Sequence, residues 1–241
     1  MTLIPSISAQ PLLSGETREQ MLALHARHFA DVRRERFLCD LAEKNWVILL
    51  HARNGALAGF STQKLIELEH AGRTIRFLFS GDTIVDRAHW NTPGLAGCFG
   101  HLMRRLMAAH GENDLYWFLI SKGFRTYRFL PVFFHRFWPA PDRDTPAEMA
   151  ALLRAVSLHQ FGDAFDRQAG VIRPRNSDRL LPDLADVPPA RRRDPHVAFF
   201  LERNPGFARG DELACLAPIR HDNLNAYAQR VIHTTAPEWR C

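Results

Sequence analysis

An aspartate behind a glycine, inside an otherwise apolar strand, is the feature of this sequence that packing explains least. Ser80, Gly81, Asp82 and Thr83 interrupt a run bounded by Phe79 and Ile84, although glycine and aspartate are both depleted in strands. A β-bulge accounts for the interruption, because bulges re-aim side chains and recur beside reaction centres. Asp82 is then a candidate general base; its plain alternative is a strand-end turn with the carboxylate capping an amide. Asp86, Arg87, His89 and Trp90 follow within one loop and concentrate acid, base and aromatic surface there. His89, with a side chain that titrates near neutral pH, is the second candidate proton acceptor, against the ordinary role of a solvent-facing loop residue. His25 and His28 share a helical face, and His101 and His110 lie on or near a later helix, with no acidic or cysteine partner completing a ligand set. No metal site is therefore expected. The G-x-S-x-G elbow, the Walker A loop and the Rossmann fingerprint do not occur, which leaves hydrolase, phosphoryl-transfer and dinucleotide readings without a motif.

The elements that must position these residues follow from periodicity. Thr17 and Gln20 make a capping-box pattern, and Met21, Leu24, His28 and Val32 recur at helical spacing, so a helix is expected to start near Thr17. A second helix is expected over 35–43. An apolar strand at 46–51, the Asn54-Gly55 hairpin signal, a returning strand at 56–69, and a strand at 74–84 with Ile75, Phe77 and Phe79 on one face predict an antiparallel meander. Asn91-Thr92-Pro93-Gly94 opens a helix with Leu95, Phe99, Leu102 and Leu106 on one stripe and Gly111 at its end. A buried strand at 114–121, an aromatic helical segment at 124–138 and a helix at 145–161 come next. Residues 173–194 read as a surface loop that covers or flanks the site, followed by strands at 196–202 and 212–219 and a helix at 222–233.

Composition narrows the class. The 241 residues are 46% hydrophobic and 24% charged with no run of eighteen apolar residues, which fits neither disorder nor a membrane span. Residues 1–10 lack the basic and apolar regions of a signal peptide, and Cys39, Cys98, Cys215 and Cys241 form no C-x-x-C pair. A cytoplasmic protein without a disulfide framework is expected. The 31 Lys+Arg and 26 Asp+Glu give a formal charge of +5 but are mixed along the chain, so nucleic-acid binding through Arg173, Arg175, Arg179 and Arg191 to Arg193 is the third reading only.

The succession of two helices, a meander, a loop entering a glycine-rich helix, a strand and an aromatic helix resembles the GNAT fold of the acyl-CoA N-acyltransferase superfamily. The resemblance covers 17–138, with 196–219 supplying the last two strands and 139–195 as an insertion, in one domain. It implies an α/β (α+β) architecture with a mixed, mostly antiparallel central sheet flanked by helices. In it, 114–121 lies beside the third meander strand and opens a V-shaped gap near Val85. The local motif is VDRAHWNTPGLAGCFGHLM, starting at Val85. By the resemblance, Val85 and Asp86 hold a pantetheine arm and the helix opened by Gly94, Gly97 and Gly100 holds a pyrophosphate on its amides. Glycines spaced by three serve equally for close packing. The family's Arg/Gln-x-x-Gly-x-Gly/Ala signature is replaced here, with Asn91 three residues before Gly94 and Ala96 two after it, which admits acyl-phosphopantetheine on an acyl carrier protein beside acyl-CoA as co-substrate. Tyr127 is the implied acid for the leaving thiolate and Ser121 the second choice, also placed with the cofactor-binding set; Tyr127 equally belongs to an aromatic core. The implied function is acyl transfer to a small amine. The alternative is a non-catalytic module that binds an acylated ligand or carrier protein.

Overall fold

The computed structural model describes residues 3–90, 92–175 and 178–240. Its strands are β1 (Ile4–Ala9), β2 (Phe29–Ala30), β3 (Trp46–His51), β4 (Leu57–His70), β5 (Arg73–Val85), β6 (Leu115–Ser121), β7 (Phe165–Asp166), β8 (Val171–Ile172), β9 (Arg179–Leu180), β10 (Glu212–Pro218) and β11 (Glu238–Arg240). The helices are α1 (Gly15–Ala26), α2 (Arg34–Ala42), α3 (Gly94–His110), α4 (Phe124–Tyr127), α5 (Phe129–Phe133), α6 (Ala147–Phe161), α7 (Pro182–Ala185), α8 (Pro189–Arg192), α9 (Pro195–Arg203) and α10 (Ala226–Thr234). Nine strands form one sheet in the order β11-β1-β3-β4-β5-β6-β10-β8-β7, while β2 and β9 pair separately. Among the described residues, no helix is long and apolar enough to cross a membrane.

Side-chain alternation puts apolar residues on both faces of the sheet, as a sheet covered on both sides requires. Ile48, Leu50, Leu78, Trp117 and Leu119 pack toward α3, α9 and α10. Val47, Leu49 and Phe60 meet Met21, Leu24, Phe37 and Leu41 of α1 and α2. Ile75, Phe77 and Phe79 share the opposite face with Phe118 and with Met149, Leu152 and Val156 of α6. The meander closes at the expected turns, with Gly55 and Gly72 at positive φ. β6 then runs parallel to β5, paired from Arg76–Leu115 to Ser80–Leu119 and no further. The result is the expected mixed, mostly antiparallel sheet flanked by helices, with the β5–β6 pair open at one end.

Several local expectations are corrected. α1 starts a little before Thr17, because Ser14 is its N-cap and accepts from the Thr17 amide at 3.0 Å. The capping residue expected at Asn91 lies outside the described residues; the α3 N-cap is Pro93. The 124–138 segment is two short helices, α4 and α5, followed by extended chain. The expected strand at 196–202 is helix α9, opened by Pro195 behind the Asp194 cap and burying Val197 and Phe200 three residues apart. Both strand and helix tolerate a short apolar run, and the cap with proline decides it. The neighbour of β10 on its outer side is the short β8. β1 and β11 add a sheet edge that periodicity did not reveal. The 173–194 segment carries β9, α7 and α8 and buries Leu184 and Val187.

Candidate functional site

The expected bulge is present. Between the Ser61–Thr83 and Gln63–Ser80 pairs, Thr62 of β4 faces two residues of β5, Gly81 and Asp82. The extra residue kinks β5 where its pairing with β6 stops, so the bulge and the V-shaped opening are one feature. Any side chain at position 81 would approach Thr62 Oγ1 to 2.7 Å and Lys44 Cε to 3.2 Å, which is why the kink carries glycine.

Three cavities meet at this opening, and Thr83 and Thr126 line all three. One, of about 210 Å³, lies on the α1–α2 side and contains Asp82. There His25, buried at 2% exposure, lies between two carboxylates: its Nε2 is 2.7 Å from Asp178 Oδ2 and its Nδ1 3.6 Å from Asp82 Oδ2. Burial pushes the Asp178 carboxyl up, but His25 and Lys122 outweigh it and hold the group at about 2. Asp40 and Glu212 are raised, chiefly by burial, against the opposing charges of Lys44 and Lys122 and with added repulsion from Asp82. Lys44 Nζ is 2.7 Å from Asp40 Oδ1, and Lys122 Nζ is 3.0 Å from the Asp178 carbonyl oxygen and 3.5 Å from Glu212 Oε1.

The largest cavity, about 550 Å³, runs from Thr83–Val85 past Trp90 to Arg125, Arg128, Leu184 and Arg191. The Arg125 guanidinium lies 4.7 Å from the Trp90 ring and donates to the Leu184 carbonyl at 2.9 Å. Its pKa is lowered by burial and by the neighbouring charges of Arg87 and Arg191, so cations converge here and an anion would relieve them. A narrow slot of about 30 Å³ lies under α3, lined by Leu95, Phe99, Met103, Trp117, Leu119 and Ile232.

A buried hydrogen-bond chain connects that slot to the junction. Trp117 Nε1 donates to Ser80 Oγ at 2.9 Å, Ser80 to Gln63 Oε1 at 2.8 Å, and Gln63 Nε2 to Ser61 Oγ at 2.7 Å. Ser61 Oγ lies 2.7 Å from Thr83 Oγ1. An indole N–H can only donate. Ser80 therefore donates onward to Gln63, and the chain ends at the Ser61–Thr83 hydroxyl pair, where Thr83 Oγ1 also lies 3.4 Å from the Gly81 carbonyl.

Other sequence candidates fare differently. Tyr127 is fully buried among Phe137, Phe199 and Phe200, its hydroxyl donates to the Pro139 carbonyl at 2.8 Å, and burial raises its pKa steeply. It is a core residue, not the acid for a thiolate. Ser121 is buried in the sheet and lines none of these three cavities. His89 is half-buried in a single 3₁₀ turn, its carbonyl accepts from Thr92 Oγ1 at 2.8 Å, and its ring lines none of them either. Val85 lines the large cavity, but its carbonyl accepts from Trp90 Nε1 at 2.8 Å. Asp86 donates its amide to Ala58 and pairs its carboxylate with Arg27 at 3.2 Å. Gly94 packs on Leu50, while a Cβ at Gly97 or Gly100 would fall inside the side chains of Thr235 and Ile232. The spacing of these glycines therefore reflects close packing of α3 against the C-terminal segment rather than access for a pyrophosphate.

Lys122, Asp178 and Thr83 carry no chemical role in the sequence reading, and His28 enters it only beside His25 as a metal-ligand candidate. Asp178 comes from the segment read as a loop and meets His25 only in the tertiary structure. His28 accompanies it, its Nδ1 donating to the Leu24 carbonyl at 3.0 Å.

No family model matches the chain, and no curated protein matches it. Solved structures are similar to it at low identity. A conserved Enterococcus faecalis protein of unknown function aligns at 13% identity and TM-score 0.40 over 52% of this chain and 31% of its own. A GNAT family N-acetyltransferase from Escherichia coli, in complex with CoA, aligns at 13% and 0.34 over 51% and 65%. The ribosomal-protein-S18-alanine N-acetyltransferase of Escherichia coli aligns at 15% and 0.36 over 64% and 76%. The chain thus spans less than two thirds of the first two of these proteins.

Proposed function

We propose that this protein is a GNAT-like acyltransferase that moves an acyl group from a pantetheine thioester to a small amine. The observation that carries the reading is the bulge at Gly81–Asp82, which opens β5 from β6 at the point where three chemically distinct cavities meet. Each cavity suits one part of the reaction. The large one offers Arg125, Arg191 and the Trp90 ring to an anionic donor, and the edge of β5 beyond Ser80, unpaired on its β6 side, offers backbone groups to the amides of a pantetheine arm. These residues fit acyl-CoA or an acylated carrier, held by arginines instead of a glycine-rich helix start. The slot under α3, about 30 Å³, suits a short acyl group.

The charged cavity receives the amine. Asp82 accepts a proton from the ammonium, the freed nitrogen forms the amide bond as the thioester C–S bond breaks, and the second nitrogen proton ends on the leaving sulfur. Thr83 lies at this junction, where its hydroxyl can donate to the thioester oxygen as negative charge develops. With Tyr127 locked in the core, no side-chain acid is assigned to the thiolate, which is itself a modest base. Release of free thiol from acetyl-CoA in the presence of amines tests the reading: amine-dependent release, lost in Asp82→Asn, supports it. Thioester binding without release in any amine would leave a binding module instead.

A further inference from the structure

We infer that the acceptor is an amino acid, bound through both its ammonium and its carboxylate; this rests on the acyl-transfer reading for the use of the site, not for the binding itself. The inference comes from the charges of the 210 Å³ cavity after the pairs within the protein are set aside. Lys44 is committed to Asp40 at 2.7 Å and Lys122 to Glu212 at 3.5 Å. Asp178 is committed to His25 at 2.7 Å, with Arg36 at 3.8 Å. Two lining groups remain. Asp82, of opposite sign to any ammonium, has among the described residues only the 3.6 Å approach of His25 as an ion pair. Arg33 has no ion-pair or hydrogen-bond partner for its side chain among the described residues, although it lines the same cavity.

One uncommitted carboxylate and one uncommitted guanidinium in a single cavity complement a zwitterion. A plain amine would leave Arg33 facing the cavity without an anion, and a plain acid would leave Asp82 without a cation. Phe29, Phe37, Phe79 and Phe161 line the same cavity, which suits an aliphatic or aromatic side chain. In the transfer, the amino nitrogen next to Asp82 takes the acyl group while Arg33 keeps the carboxylate, so the product is an N-acylamino acid and a free thiol. Arginine suits this task because its planar guanidinium binds a carboxylate bidentately.

The test is calorimetric titration of the protein alone with L-leucine, 3-methylbutylamine and 4-methylpentanoate, which share the 3-methylbutyl unit and differ in the charged groups it carries. Leucine is expected to bind about tenfold or more tightly than either analogue, the scale of one charge-assisted contact. Arg33→Ala should remove the preference for leucine over the amine and leave amine binding unchanged; Arg33→Lys should restore part of it. Because the Arg33 side chain supports no cap or pair in the fold, thermal melting of both variants should match the parent. An amine that binds as tightly as leucine, or a preference that survives Arg33→Ala, overturns the inference. So does the failure of all three compounds to bind, while thiol release with other amines still decides the acyl-transfer reading by itself.

Discussion

The two halves of β5 were built from one continuous strand and do opposite things. From Arg76 to Ser80 it is paired on both sides, with apolar side chains locked into the core. From Gly81 to Val85 it keeps only β4, carries a bulge, and lines all three cavities with Thr83. The first half shows what alternating Ile, Phe and Phe produce: a ladder whose buried face excludes every other geometry. The second shows how few residues are needed to open such a ladder. A glycine that admits the kink and an aspartate with no place in a core are enough, provided that a buried polar chain satisfies the groups left behind.

The comparison can be broken from either side. The largest expected effect is in the closed half, where Phe77→Ala should cost about 3–5 kcal/mol in chemical denaturation, the range for deleting a fully buried aromatic, while the folded fraction keeps its turnover. In the open half the reverse is expected. Asp82→Asn should lower turnover by roughly 10² or more, about 2.7 kcal/mol of barrier, with little change in melting temperature. His89→Gln should matter far less; if His89→Gln abolishes turnover and Asp82→Asn does not, the base lies in the loop and the bulge is only structural. Gly97→Ala should destabilise by about 1–3 kcal/mol through overpacking against Thr235 without raising KM for the thioester, whereas a glycine that held phosphate would raise it.

The smallest effect separates the two halves by pH. Asp178, held at about 2 against an ordinary value of 3.8, is a depressed carboxyl, so its stabilisation is complete above the ordinary value. It fades as pH falls from about 4 toward 2. Asp178→Asn should flatten that acid limb by about 1–2 kcal/mol, measured by denaturation at stepped pH, and Phe77→Ala should shift the whole curve without changing its slope.

Reading from residues succeeded where the signal was local. The Asn54-Gly55 hairpin, the shared face of Ile75, Phe77 and Phe79, and the poor fit of Gly81 and Asp82 to a strand all depend on neighbours within a few positions, and the structure bears each out. Reading failed where one pattern serves two ends. The glycine spacing of α3 suits a phosphate or a packed helix, and only the position of Ile232 and Thr235 distinguishes them. The aromatic run around Tyr127 suits a wall or a core, and Pro139, Phe199 and Phe200 made it a core.

By itself, then, the sequence determined the meander, the glycine-rich helix, the order of the main elements from α1 to β6 and the bulge, because hydrogen-bond geometry and side-chain alternation act over short stretches of chain. Tertiary structure alone decided which charges face one another. His25 and Asp178 are separated by most of the chain, yet lie 2.7 Å apart. Asp82 and Arg33 reach the same cavity from β5 and the start of α2. Coulomb energies depend on distance and burial, and neither is encoded in the spacing of residues along the backbone.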